Sequence, residues 1–105
     1  MATFTFNASL AGGEVKWVPR PQDGAFVGGD VMVFRSFEGP LVLRFNAKTP
    51  FAFTTAAPFH YVSATGDLTL TIVGPPDNYP FDCGIGTASE VVGLDKNGDQ
   101  IPVSN

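Results

Sequence analysis

Cysteine, basic charge and long apolar runs are what this sequence has least of. One cysteine, Cys83, in 105 residues excludes an internal disulfide and leaves the redox compartment open. Six Lys and Arg, none adjacent to another, give no clustered basic surface, which argues against nucleic acid as a partner. No apolar run approaches the length of a membrane span, and the opening MATFTFNASL has neither the charged n-region nor the continuous apolar h-region of a secretory leader. The chain as written is therefore expected to be soluble and cytoplasmic, with export open only to a form whose leader had been removed. Helical periodicity is also missing. No stretch holds a 3.6-residue apolar repeat long enough for a core helix, and only Thr49 to Ala57 has the makings of one turn.

What the sequence does have is strand grammar. With 44% hydrophobic and 15% charged residues, residues 1–105 suit a single domain that can bury a core without a disulfide or a structural metal. Twelve glycines and nine prolines cut the chain into short pieces that alternate with period two. Thr3 to Asn7 alternates threonine and phenylalanine, and Glu14 to Val18 puts Val15 and Trp17 on one face. VMVFRSF follows the turn Gly28-Gly29-Asp30, and in LVLRF the side chains of Leu41, Leu43 and Phe45 share a face. DLTLTIV sets Leu68, Leu70 and Ile72 inward, and strand character resumes at Tyr79 to Cys83 and Ser89 to Leu94. Asn97-Gly98 predicts a tight hairpin turn joining VVGL to QIPV. Several short strands punctuated by turns imply an all-β sandwich or barrel. In an open sandwich the terminal segments TFTFNAS and QIPVSN are candidate edge strands. Asn46 to Val62 is the one irregular stretch and holds the lone histidine, His60.

Three segments together resemble the cupredoxins: GGDVMVF from Gly28, FRSFEGPLVLRF, and YPFDC ending at Cys83. The resemblance implies a Greek-key β-sandwich of cupredoxin-like or immunoglobulin-like type, and it implies that Leu41 and Cys83 stand at copper-ligand positions. Blue copper needs two imidazoles and a thiolate with a weak axial ligand. Leu41 is aliphatic, the run Gly84 to Ser89 supplies no imidazole or thioether, and Met1 and Met32 are wrongly placed. The chain looks closer to copper-free cupredoxin-like proteins of bacteria, through Thr49-Pro50-Phe51, Tyr79-Pro80-Phe81 and Gln100-Ile101-Pro102-Val103. It departs from them in lacking an Asp-Pro before the last strand. No metal and no cofactor is expected.

Other chemistry is weaker. Cys83 with His60 as base would be a thiol nucleophile, but no local signature supports the pair, and a lone cysteine after an aromatic strand is more commonly a small buried hydrophobe. Asp95, Asn97 and Asp99 have the spacing of calcium-loop ligands, yet Gln100 stands where the loop needs glycine. Gly84-Ile85-Gly86 is not followed by a phosphate-binding helix. Aromatic content remains: ten phenylalanines, of which Phe51, Phe53 and Phe59 crowd with Tyr61 into the irregular stretch. They serve either as core filling or as an apolar rim for a protein partner or a second copy. The expectation is a non-catalytic binding or assembly module, with Phe51, Phe53, Phe59, His60 and Tyr61 as its surface. The alternatives are a Cys83/His60 enzyme or an atypical metal protein.

Overall fold

Period-two alternation in short, turn-bounded segments becomes ten β-strands in the computed structural model, which describes residues 1–12, 14–86 and 99–105. In chain order the strands are β1 (Thr3–Ala11), β2 (Glu14–Val18), β3 (Phe26–Val27), β4 (Val31–Ser36), β5 (Leu41–Phe45), β6 (Phe59–Ser63), β7 (Asp67–Thr71), β8 (Asp77–Pro80), β9 (Asp82–Ile85) and β10 (Gln100–Ser104). A short 3-10 turn at Pro21–Asp23 is the helical element among the described residues. No helix there is long and apolar enough to cross a membrane. The turn foreseen between Thr49 and Ala57 does not form, because Pro50 and Phe51 are drawn into contacts with the segment after β7 instead.

The protein is all-β with several sheets. A four-stranded sheet has the order β2-β1-β4-β7, and two three-stranded sheets have the orders β3-β10-β8 and β6-β5-β9. Pairing is mixed: β1 runs parallel to β4 and β10 parallel to β3, whereas the other pairs are antiparallel. Register explains why β1 and β4 adhere. Phe4 aligns with Met32 and Phe6 with Phe34, so the two apolar rows fall on the same side, and a one-residue slip would turn one row into water. TFTFNAS and QIPVSN are edges only in part. β1 lies between β2 and β4, and β10 between β3 and β8, but β2 pairs with β1 only from Asn7 to Ala11 and β3 with β10 only at Val103 and Ser104, so among the described residues Thr3 to Phe6 and Gln100 to Pro102 pair on one side alone.

The inward rows meet in a core cluster that includes Phe6, Val15, Trp17, Met32, Phe34, Leu41, Leu43, Phe45, Ile72, Tyr79, Phe81 and Ile101. Phe34, fully buried, has Phe6, Trp17, Phe51 and Phe81 around it at ring-centroid distances of 5.5 to 6.4 Å. Three of those four pairs are edge-on, the arrangement that the ring quadrupole favours. Of the row expected to point inward from DLTLTIV, Ile72 is buried, while Leu68 and Leu70 are half-buried and pack against the core's margin. Tyr79 to Cys83 is not one strand: Phe81 separates β8 from β9, which belong to different sheets. The Asn97-Gly98 hairpin and the strand from Ser89 to Leu94 lie outside the described residues.

The turn before β4 is built around Asp30. Its buried carboxylate accepts hydrogen bonds from the backbone N–H of Val27 at 3.0 Å and of Ala2 at 2.9 Å, tying the amino terminus to the start of β4. Those two donors hold its pKa below the ordinary carboxylate value, Val27 contributing most.

Candidate functional site

The connection from β5 to β6 is shaped by two hydroxyls and two carbonyls. Thr49 Oγ1 and Tyr61 Oη lie 2.8 Å apart, the Phe51 N–H donates to Thr49 Oγ1 at 3.2 Å, and the Tyr61 hydroxyl reaches the Ala52 carbonyl at 3.1 Å. The Pro50 carbonyl accepts from the N–H groups of Val73 and Gly74 at 2.8 and 2.9 Å. Phe51 also forms an isolated antiparallel bridge with Ile72. These bonds fix the Phe51 ring in the core, 5.7 Å from both Phe45 and Tyr61. The Tyr61 hydroxyl is pushed above its ordinary pKa by burial, with the Thr49 hydrogen bond pulling the other way. It therefore stays protonated and able to donate.

Of the five expected surface residues, the structure gives up two to the core. Phe51 is 1% and Phe59 7% exposed. The physical reason is that Phe59 opposes Phe45 in the β5–β6 register and shares its inward face, while Phe51 is pinned as described. Phe53 is 58% exposed and His60 is exposed on the outward face of β6, with Tyr61 half-buried. The Phe53 ring lies on Phe59 at 4.5 Å. Together they form one wall of an open groove of ≈ 340 Å³ between Ala52–Thr55 and Phe59–Tyr61. Four of the five sequence-predicted residues, Phe53, Phe59, His60 and Tyr61, line this groove, with buried Phe59 in its floor, and Phe51 does not.

A second groove, of ≈ 240 Å³, lies between Asn46–Lys48, Pro80–Asp82 and Asp99. Its charges are internally committed. Arg44 Nη2 donates to Asp82 at 2.8 Å, Asn46 Nδ2 donates to the same oxygen at 3.1 Å, and Lys48 Nζ donates to Asp77 at 2.6 Å. The Lys48 ammonium, followed by the Asn78 N–H, holds the Asp77 carboxyl below its ordinary pKa. Arg44 Nε is buried without a hydrogen-bond partner.

Cys83 is fully buried and forms no disulfide. The Trp17 indole N–H donates to its sulfur at 3.2 Å, and the thiol lies 3.9 Å from an Asp99 carboxylate oxygen. Cys83 opposes Leu43 on the inward face of β5, whereas His60 opposes Arg44, one residue along and on the other face. The sheet thus separates thiol and imidazole, and β5 stands between their strands. Leu41 and Cys83 are both buried on adjacent strands, two register positions apart, Leu41 opposite Ile85 and Leu43 opposite Cys83. No group of three His, Cys, Asp or Glu side chains among the described residues could hold a metal ion.

Sequence reasoning missed Asp30, Trp17 as a donor to sulfur, and Val62, which is 46% exposed beside His60. Asp30 had a signal, since an aspartate after two glycines is a turn former whose side chain bonds nearby backbone. The other two depend on strand order, which local pattern does not carry. Comparison of the chain with protein-family models, with curated protein sequences and with solved structures yields no match.

Proposed function

We propose that the chain is a non-catalytic binding or assembly module on a cupredoxin-like Greek-key sandwich that carries no copper site, and that it docks a protein partner or a second copy through the groove between Ala52 and Tyr61. Three features support the sandwich: two parallel pairs of non-consecutive strands, which require crossovers; inward rows from separate sheets sharing one core; and Leu41 and Cys83 both buried on neighbouring strands.

The docking surface rests on one observation. Phe53, with more than half its surface in water, leans on buried Phe59 at the wall of a groove. An exposed aromatic ring held against a rigid floor loses little side-chain freedom when it is covered, so its burial converts into affinity with a small entropic penalty. Thr54, Thr55, Ala56 and Ala57 beside it are too small to shield it.

Anilinonaphthalene sulfonate, an aromatic dye, tests the groove. The wild type should enhance its fluorescence and Phe53→Ser should abolish the enhancement with thermal stability unchanged. Phe51→Ser, by contrast, should cost about 3 to 5 kcal/mol of folding stability as a core aromatic. Equal dye binding by wild type and Phe53→Ser would remove the groove from consideration.

A further inference from the structure

We propose that β6 joins two copies of this chain edge to edge, antiparallel across a two-fold axis, so that the sheet β6-β5-β9 continues into its counterpart as six strands. The proposal rests on the loop and β6 being the docking surface, and names the occupant of that surface as a second copy.

A strand at the margin of a sheet presents backbone N–H and C=O groups to any chain that can pair with them, and natural margins are guarded by charge, proline or extreme shortness. Among the described residues the outermost strands of the three sheets are β2, β7, β3, β8, β6 and β9. β2 carries Glu14 and Lys16, β7 carries Asp67, β8 carries Asp77 and Pro80, β9 carries Asp82, and β3 is two residues long. β6 is five residues, FHYVS, with no carboxylate, lysine, arginine or proline. Its neighbouring loop does not cover it with backbone pairing. The loop is held by the Tyr61 hydroxyl, and no backbone hydrogen bond from Phe59 to Val62 runs to the loop among the described residues.

Charge selects the occupant. The chain has a net charge of -4, so two copies repel wherever acidic surfaces meet. Residues 49–66 contain no Lys, Arg, Asp or Glu, and this neutral stretch supplies both β6 and the groove beside it. Here two copies meet without like charges in opposition, while a charged partner would find nothing to recognise. Antiparallel pairing of a strand with its own copy is isologous and closes with one two-fold axis. With Tyr61 on that axis, His60 of one copy faces Val62 of the other, and the exposed Val62 side chains leave water.

Sedimentation equilibrium over a concentration series, run with hydrogen exchange on the same samples, tests this. The wild type should dimerise, with slow exchange at residues 59–63 appearing only at concentrations where the dimer forms. Val62→Lys, which restores a guard to the margin, should raise the dimer dissociation constant by about tenfold or more, and Val62→Thr should stay near wild type. A wild type that is monomeric throughout overturns the proposal while leaving the dye result at Phe53 intact. A Val62→Lys variant that is folded, by its thermal transition, and dimerises as wild type also overturns it.

Discussion

Between Phe51 and Phe53 the chain passes from core to surface, and what decides the side is hydrogen bonding that runs partly to Thr49 nearby and partly to Tyr61, Val73 and Gly74 further along the chain. Phe51 is fixed by Thr49, Tyr61 and the Pro50 contacts to Val73 and Gly74, none of which has a period that a single segment displays. That is why the aromatic cluster was legible in the sequence as a feature, yet not which of its rings would be buried. The alternation Leu41, Leu43, Phe45 was legible outright, since all three are buried and period two alone assigns them. Asp30 yields a prediction at this scale. Its carboxyl is held below the ordinary value by two backbone donors, so the folded state favours the charged form. The stability this gives is present above the unfolded pKa, about 3.9, and is lost as pH falls through the lower folded value. Asp30→Asn should therefore be less stable than wild type at neutral pH, with a melting temperature that falls less steeply under acid. Asp77, also lowered, keeps part of the dependence in the variant. Parallel melting curves with a constant offset at all pH values would show that the Asp30 charge is not what the turn uses.

Element by element, strand existence follows from local pattern and strand neighbours do not. β1 reads as a candidate margin because it is a terminal segment of an open sandwich, yet β4 pairs to it in parallel through a crossover that nothing within β1 announces. β8 and β9 read as one strand until Phe81 parts them between sheets. The turn from β6 to β7 gives the sharpest prediction at this scale. Gly66 has φ 88°, and a Cβ there would come within 2.5 Å of the Ser36 carbonyl oxygen and 2.9 Å of that of Gly39. Its own carbonyl accepts from the Ser36 N–H at 2.8 Å, so the turn cannot retreat without losing that bond. Gly66→Ala combines a left-handed backbone with a backbone clash. It should cost more than about 1 kcal/mol, the upper end expected for backbone freedom alone, and chemical denaturation would measure it. A loss of a few tenths of a kcal/mol would mean that the β4–β5 connection moves aside freely.

For the whole molecule, the acidic net charge and the neutral stretch 49–66 belong together in the proposed dimer: like charges oppose association elsewhere on the surface, and β6 offers a five-residue margin without Asp, Glu, Lys or Arg. Leu41 and Cys83, the positions that the resemblance to cupredoxins implies for copper ligands, are both buried in the core, which fits the proposed docking surface at the loop and β6. Amide chemical shifts recorded across a protein concentration series test this most directly, because they locate an association surface without presupposing it. The account predicts concentration-dependent shifts and broadening confined to residues 52–63, centred on Phe53 and Val62. Shifts centred instead on the outward faces of β1, β4 and β7, or spectra that do not change with concentration, would contradict it.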